Sequence, residues 1–340
     1  MTPVHAGKRA RYGSRARGVK RVELRLHPAY PLSVSILVLT TSRFMEQQLA
    51  ALRSLAPQER FETDADAAPT DEVEAIVAFR FAAGIAPRFP NLRLVASPGA
   101  GADDLLAAGD IPARVPIVRA IDPLQGRRMA QYVALMVLRQ QRELARLEAQ
   151  HARAEWRRFA HRAEGTVGIL GYGTIGAPVA DALQSLGFSV IAWARAPRAV
   201  PGVELCAGRA ALGGFLARCN ILVCALPLTE ETTGLLDAQA FAALPRGAYV
   251  INVSRGGVLR EHDLIAALDA GQLAGAALDV FTAEPLPPES PLWRRPEILC
   301  TPHVAATPRA EEVARQILDN LRRARSGAAP LNVVDRVRGY

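Results

Sequence analysis

Short apolar runs alternate with helix-spaced apolar positions along most of this chain. From Ser33 the run SVSILVLTTS is apolar and β-branched and predicts a strand. Leu49, Leu52 and Leu55 then recur at helical spacing, predicting a helix from Phe44 to Leu55 that Pro57 ends. Further strands are expected at Glu74–Phe81, at Arg93–Ser97 and near Val115–Val118. From Met129 to about Trp156 one long helix is expected, apolar at Tyr132, Val133, Leu135, Met136 and Leu138 and charged from Arg139 onward. Six more candidate strands follow: Thr166–Leu170, Ser189–Trp193, Ile221–Ala225, Ala248–Val253, Gly275–Phe281 and Glu297–Thr301. Thr307 and Pro308 supply an N-cap and a first-turn proline for a last helix through Arg323.

Strands alternating with helices imply parallel βα units. The fold class expected is therefore α/β, with two Rossmann-like or flavodoxin-like domains, parallel sheets and a cleft between them. Residues 33–125 form the first, substrate-binding domain, and the last helix packs back on it so that 305–340 belong there too. Residues 126–304 form the second, because six strands in one βα series suit a dinucleotide-binding sheet. The long helix is the joint. At 340 residues the chain can hold two cores of ordinary size.

Composition narrows the partners. Half the residues are hydrophobic and 22% are charged, as in a globular chain. No apolar run approaches the roughly 20 residues needed to span a bilayer. The net charge of +8 invites a nucleic-acid reading, but its location opposes one. Residues 1–27 hold eight Lys and Arg against Glu23 alone, so the rest of the chain is close to neutral and lacks the basic face such a partner needs. Residues 1–32 read as a disordered basic extension or a mis-assigned start, the alternative being a tethering or targeting arm, with no recognisable site. Cys206, Cys219, Cys224 and Cys300 show no CxxC pairing and no metal-ligand spacing with His. They read as reduced thiols of a cytoplasmic protein, and no metal is expected.

The sharpest local signal is TVGILGYGTIG at Thr166–Gly176, where Gly171, Gly173 and Gly176 form GxGxxG. It directly follows an apolar strand and precedes a helical stretch, which is the context the motif needs. The first glycine permits a tight turn, the second admits a pyrophosphate to the backbone, and the third lets helix pack on strand. At the end of the next strand, IAWARAPR offers Arg195 and Arg198 and no carboxylate. An acidic residue there would suit the ribose hydroxyls of NAD; two guanidiniums suit a 2′-phosphate. The cofactor expected is NADP(H), with NAD(H) possible.

Three ionisable residues closely follow three candidate strands: Arg255 in NVSRGG, Glu284 in DVFTAEPLP and His303 in TPHVAA. In a parallel sheet all three lie at the carboxyl edge, where the glycine turn also opens. Taken singly, each has an ordinary structural explanation. Together they suit hydride transfer to a 2-oxo acid. Reduction places negative charge on the carbonyl oxygen, so a proton donor and a fixed cation help. An imidazole beside a carboxylate supplies the proton, and arginine clamps a substrate carboxylate in two places.

From about Ser33 to Val334 the chain resembles the D-isomer-specific 2-hydroxyacid dehydrogenases, and within them the glyoxylate/hydroxypyruvate reductases. The resemblance rests on LGYGTIG, CALPLTEETTGLL, INVSRGGVLRE, ALDVFTAEPLP and TPHVAA, in the family's order. It implies that Arg255 binds and polarises the substrate, that Glu284 orients His303, and that His303 is the general acid/base. It implies further that Gly99, Ala100 and Gly101 of SPGAGAD hold the substrate carboxylate through backbone N–H groups. The cofactor contacts it implies are Gly173, Thr174, Ile175, Leu226, Pro227, Thr232, Val253 and Asp279. A homodimer through the dinucleotide domain and reduction of glyoxylate or hydroxypyruvate with NADPH follow from the same resemblance. Two departures bear on substrate identity: Ser97-Pro98-Gly99-Ala100-Gly101 stands where many members have Leu-Gly-Ala-Gly, and Gln131 where an acidic residue is common. The scaffold also carries a transcriptional corepressor branch and formate- or phosphite-oxidising members; turnover of small 2-oxo acids separates these readings.

Overall fold

The first apolar run becomes β1 (Ser35–Val38), with all four residues buried. The computed structural model describes residues 35–40, 42–160 and 165–339; the basic segment 1–32 lies outside them. Helix α1 (Arg43–Leu55) follows, its first turn capped by Ser42, whose side chain accepts from Met45 N, and buries Met45, Leu49 and Leu52. Then come β2 (Arg60–Glu62), β3 (Val73–Val77), β4 (Leu94–Ser97), α2 (Asp103–Ala107) and β5 (Ile117–Arg119). These strands pair in the order β2-β1-β3-β4-β5, every pair parallel. That is the flavodoxin-like arrangement. β2 was not visible as a strand because three residues at a half-exposed edge carry no pattern.

The single long helix expected from Met129 to Trp156 is two helices. α3 (Gln125–Gln141) buries Met129, Ala130, Val133, Met136 and Val137, whereas in α4 (Leu144–Ala152) only Gln150 is buried. Between them Glu143 takes a left-handed backbone, φ 50°. Beyond α3 the apolar stripe that packs on the core runs out, and no packing holds the original axis.

The second sheet is built from β6 (Thr166–Leu170), α5 (Gly176–Ser185), β7 (Ser189–Ala194), β8 (Glu204–Ala207), α6 (Leu212–Leu216), β9 (Ile221–Cys224), α7 (Ala238–Ala243), β10 (Ala248–Asn252), α8 (Glu261–Asp269), β11 (Leu273–Leu278) and β12 (Ile298–Cys300). Its order is β12-β11-β10-β9-β6-β7-β8, all parallel. Among the described residues it has seven strands, one more than expected. The extra strand, β8, is an edge strand in a Pro- and Gly-rich stretch without alternation. Strand order reverses between β6 and β9, the switch point at which open α/β sheets bind ligands. β11 stops at Leu278 and β3 at Val77, earlier than expected, so Asp279–Phe281 and Ala78–Phe81 belong to loops at the carboxyl edges.

The last helix, α9 (Ala310–Ser326), returns to the first sheet. Its Val313, Ala314, Ile317 and Leu321 share a core with Met45, Leu49, Leu52 and Val77. Thr307 is not its cap. Arg309 holds that position without a side-chain cap, and its backbone N–H donates to Asp122 at 3.0 Å. A carboxylate from the chain between β5 and α3 thus does what a capping residue would have done. Among the described residues no helix is long and apolar enough to cross a membrane.

Candidate active site

The turn between β6 and α5 is shaped for an anion. Gly171 has φ 104°, a conformation that side chains resist, and a Cβ there would lie 2.8 Å from the Ala225 carbonyl. At Gly176 a Cβ would overlap the Gly171 carbonyl, so the helix can seat on the strand only without one. Gly173 has open space on its side-chain face, leaving the backbone approachable as a pyrophosphate requires. Thr174 and Ile175 lead into α5. The stretch after β9 closes on itself: the Thr232 hydroxyl donates to the Pro227 carbonyl at 2.7 Å and accepts from Thr229 N at 2.8 Å. Leu226 and Val253 are buried beside it.

Arg195 and Arg198 follow the end of β7. Arg198 stacks its guanidinium 5.5 Å from the centre of the Tyr172 ring and donates to the Tyr172 carbonyl. Arg195 reaches Glu231 at 3.9 Å, both side chains being largely exposed. Tyr172 lies inside the glycine motif, so the basic strand end and the phosphate turn form one surface. Sequence reasoning did not single out Tyr172; its place between two motif glycines was the available signal.

Arg255, Glu284 and His303 come to neighbouring carboxyl ends of β10, β11 and β12. His303 Nδ1 lies 2.8 Å from Glu284 Oε2, and Phe281 N donates to Glu284 Oε1 at 3.0 Å. Burial pushes the Glu284 carboxyl up, but the His303 hydrogen bond, the Phe281 N–H and the charges of His303 and Arg255 outweigh it and hold it below the usual carboxylate range. Glu284 is therefore an acceptor at neutral pH, and Nδ1 carries the donating proton. The other ring nitrogen, Nε2, is left to exchange a proton.

The turn that carries His303 is held by Asp279. Its carbonyl accepts from His303 N at 2.9 Å, and its buried carboxylate accepts from the Thr301 hydroxyl at 2.6 Å and from Val304 N and Ala305 N at 2.9 Å each. His303 itself sits at φ 53°, a left-handed conformation that an isolated histidine avoids and this turn sustains. Since the Thr301 hydroxyl donates to Asp279, the Tyr132 hydroxyl must donate to Thr301, 2.6 Å away. Burial raises the Tyr132 phenol to about 12 and keeps it a donor. Asp279, expected as a cofactor contact, braces the His303 turn in this structure.

Arg255 is braced likewise. Asn252 Nδ2 donates to the Arg255 carbonyl at 3.1 Å, and Asn252 Oδ1 accepts from Ser254 N at 3.1 Å and the Ser254 hydroxyl at 2.8 Å. From the first sheet, the loop after β4 folds inward. The carbonyls of Gly99, Ala100 and Gly101 accept from Ala120 N, Arg119 Nη1 and the Ser97 hydroxyl, at 3.2, 3.2 and 2.6 Å. Among the described residues the N–H groups of Ala100 and Gly101 have no acceptor, so they are the loop's available hydrogen-bonding groups. The Arg255 guanidinium lies directly against Gly101 and pairs with Asp103. A cavity of about 480 Å³ joins Ala100 and Arg119 to Thr174 and Ile175, so the loop after β4 and the glycine turn open on one space. A hollow of about 530 Å³ at the amino edge of the first sheet, lined by Pro90–Arg93 and Ala328–Pro330, contains none of these groups. Besides Tyr172, sequence reasoning missed Asn252, Thr301, Asp103 and Asp122. Of these four, Asn252 alone, a turn-forming residue closing a strand, carried a local signal.

Two parallel sheets with a glycine turn at the switch point, and an Arg–Glu–His set at neighbouring strand ends, define a two-domain nucleotide-linked oxidoreductase. The model of the D-isomer specific 2-hydroxyacid dehydrogenase NAD-binding domain matches residues 134–305. A solved D-isomer-specific 2-hydroxyacid dehydrogenase from Xanthobacter autotrophicus Py2, in complex with NADPH and MES, is 39% identical with a TM-score of 0.82, covering 91% of this chain and 100% of its own. An NADPH-dependent glyoxylate/hydroxypyruvate reductase from Sinorhizobium meliloti, with NADP and sulfate, is 36% identical with a TM-score of 0.82 at the same coverages. A probable 2-hydroxyacid dehydrogenase from Rhizobium etli CFN 42, with NADP, HEPES and L(+)-tartaric acid, is 32% identical with a TM-score of 0.81, covering 91% of this chain and 99% of its own. The chain belongs to the D-isomer-specific 2-hydroxyacid dehydrogenase family.

Proposed function

We propose that the chain reduces a small 2-oxo acid, of the glyoxylate or hydroxypyruvate kind, to the D-2-hydroxy acid with NADPH, and that His303 donates the proton. The observation that carries this reading is a pair of contacts at neighbouring strand ends, the Arg255 guanidinium against Gly101 and the Glu284 carboxylate on His303 Nδ1 at 2.8 Å. Residues 33–125 with 305–340 form the substrate domain, and 126–304 the dinucleotide domain.

A bound reduced nicotinamide supplies the hydride. Gly171, Gly173, Thr174, Ile175 and Gly176 hold its pyrophosphate at the start of α5, and Leu226, Pro227, Thr232, Val253 and Asp279 border the rest. Arg195 and Arg198 select the 2′-phosphate, and the NADPH or NADP named with all three relatives supports that choice. Arg255 and the N–H groups of Ala100 and Gly101 bind the substrate carboxylate and draw charge toward the carbonyl oxygen. As that oxygen becomes an alkoxide, His303 Nε2 gives it a proton while Glu284 stabilises the imidazolium and fixes its tautomer.

The chain acts as a homodimer in the cytoplasm. α3, α4 and the segment after them expose Leu135, Leu144, Leu147 and Trp156, the last 94% exposed, apolar side chains that a second copy would cover. All four cysteines are free thiols, and burial pushes those of Cys219 and Cys300 up to about 12 and about 11. Unreactive thiols suit a reducing compartment. The test is a panel of small 2-oxo acids assayed with NADPH and NADH. Turnover of glyoxylate or hydroxypyruvate, faster with NADPH, is expected; preference for NADH or no turnover of any 2-oxo acid overturns the reading.

A further inference from the structure

Arg255 is gripped from the opposite sheet. Its Nε lies 3.1 and 3.2 Å from the two carboxylate oxygens of Asp103, while Nη1 donates to the Ser254 carbonyl at 2.8 Å. Asp103 opens α2, which follows β4 of the first sheet; Arg255 follows β10 of the second. The pair is 152 residues apart in sequence, and its side chains are only 31% and 21% exposed. We propose that Asp103 is a positioning residue for the substrate-binding cation, resting on the functional reading above.

A guanidinium has five N–H donors in one plane on a flexible stem. Fixed at Nε by Asp103 and at Nη1 by Ser254, the plane cannot turn about its stem, and Nη2 is held over Gly101. The donors left unused therefore lie beside the substrate-loop N–H groups. Asp103 thus chooses which edge of Arg255 meets the substrate carboxylate. The contact also makes that edge depend on the two sheets standing in their present relation. An acidic residue at a helix start needs no such partner, since it complements the helix dipole by itself. Asp104, next along, already fills that role from an exposed position. Two other roles compete. A carboxylate on Arg255 could weaken anion binding by occupying donors the substrate wants, or it could merely tie the sheets together.

Asp103→Asn and Asp103→Ala, alone and combined with Arg255→Lys, discriminate between these roles. Both single variants should lower kcat/KM for the 2-oxo acid about tenfold or more, with the loss greater for Ala. Affinity for NADPH, measured by fluorescence titration, and Tm should stay close to wild type. In the Arg255→Lys background the planar fork is gone, so removing Asp103 should cost little more, giving a large coupling in the double-mutant cycle. A fall in KM in Asp103→Asn would make Asp103 a competitor of the substrate and overturn the proposal. Additive losses, or losses matched by weakened NADPH binding and lowered Tm, would make it a structural tie and also overturn it. Wild-type kinetics in both variants do the same while leaving the functional reading intact; absence of wild-type turnover removes the functional reading and this proposal together.

Discussion

The guanidinium of Arg255 occupies the place where a side chain on Gly101 would stand: a Cβ built there overlaps Nη2 and lies 2.7 Å from Cζ and 2.8 Å from Asp103 Oδ1. Backbone and cation are stacked without a gap, so the loop N–H groups and the guanidinium present themselves together. Gly101→Ala should displace Arg255 and lower kcat/KM for the 2-oxo acid by at least tenfold, about 1.4 kcal/mol of transition-state binding. Cofactor affinity should be unchanged, because the glycine turn at β6 is untouched. Steady-state kinetics beside an NADPH titration check this, and ordinary kinetics in the variant would remove the contact from the mechanism.

The two arginines after β7 carry the second prediction. Charge-assisted hydrogen bonds contribute about 1.5–3 kcal/mol each, so Arg195→Ala with Arg198→Ala should weaken NADPH tenfold or more and leave NADH little altered. Arg198 also holds the Tyr172 carbonyl inside the phosphate turn. If that support dominates, both cofactors weaken equally, and titrating each against the double variant separates the outcomes.

Asp122 carries a prediction about stability. Its carboxylate is wholly buried and accepts from Arg128 Nη1, Arg309 Nε and Nη2, and the backbone N–H groups of Leu124 and Arg309. Burial pushes the carboxyl up, but the Arg309 side chain, the two backbone donors and the Arg309 charge win and hold it at about 2 against an ordinary 3.8. A depressed carboxyl stabilises the fold above its unfolded value, and the stabilisation drains away as pH falls through the folded one. Asp122 should thus contribute about 2 kcal/mol at neutral pH that is lost between about pH 4 and pH 2. Asp122→Asn should lower Tm at pH 7 and flatten the fall of Tm across that acid range. Calorimetry of both chains at several pH values checks this, and parallel Tm–pH curves would deny Asp122 the role.

The split between what the sequence disclosed and what it withheld follows sequence distance. The glycine turn, the strand-end Arg, Glu and His, and every strand of the second sheet described here except β8 are local patterns, so apolar runs and motif spacing sufficed to find them. Strand ends were less legible: Asp279–Phe281 are apolar enough to read as strand, yet Asp279 leaves the ladder to brace His303. The break at Glu143 has no Gly or Pro to announce it and comes from packing that ends. Asp103, Asp122 and Thr301 act through partners more than twenty residues away, up to 187 for Asp122 and Arg309. Nothing in their immediate neighbours distinguishes them from ordinary loop residues.

The pairing of Glu284 with His303 carries the last prediction. Glu284 is held below the ordinary carboxylate range, so it stays ionised across neutral pH and its own titration lies on the acid side of the working range. Reduction needs the imidazolium, so its rate should fall as pH rises; oxidation of the hydroxy acid needs the neutral ring and should show the opposite limb. Glu284→Gln keeps the size but removes a negative charge 2.8 Å from Nδ1. The imidazolium loses its stabilising partner, so the falling limb of reduction should move to lower pH. A one-unit displacement corresponds to about 1.4 kcal/mol of lost interaction. His303→Ala should abolish most of that limb. His262, the other histidine of the second sheet's motif-rich half, opens α8 with its side chain 79% exposed and paired with Asp263, and cannot take over. Full pH–rate profiles of wild type and Glu284→Gln, with hydride transfer shown to limit turnover by a deuterated cofactor, decide the matter. A limb that stays in place in the variant would leave Glu284 a loop residue and His303 acting without it.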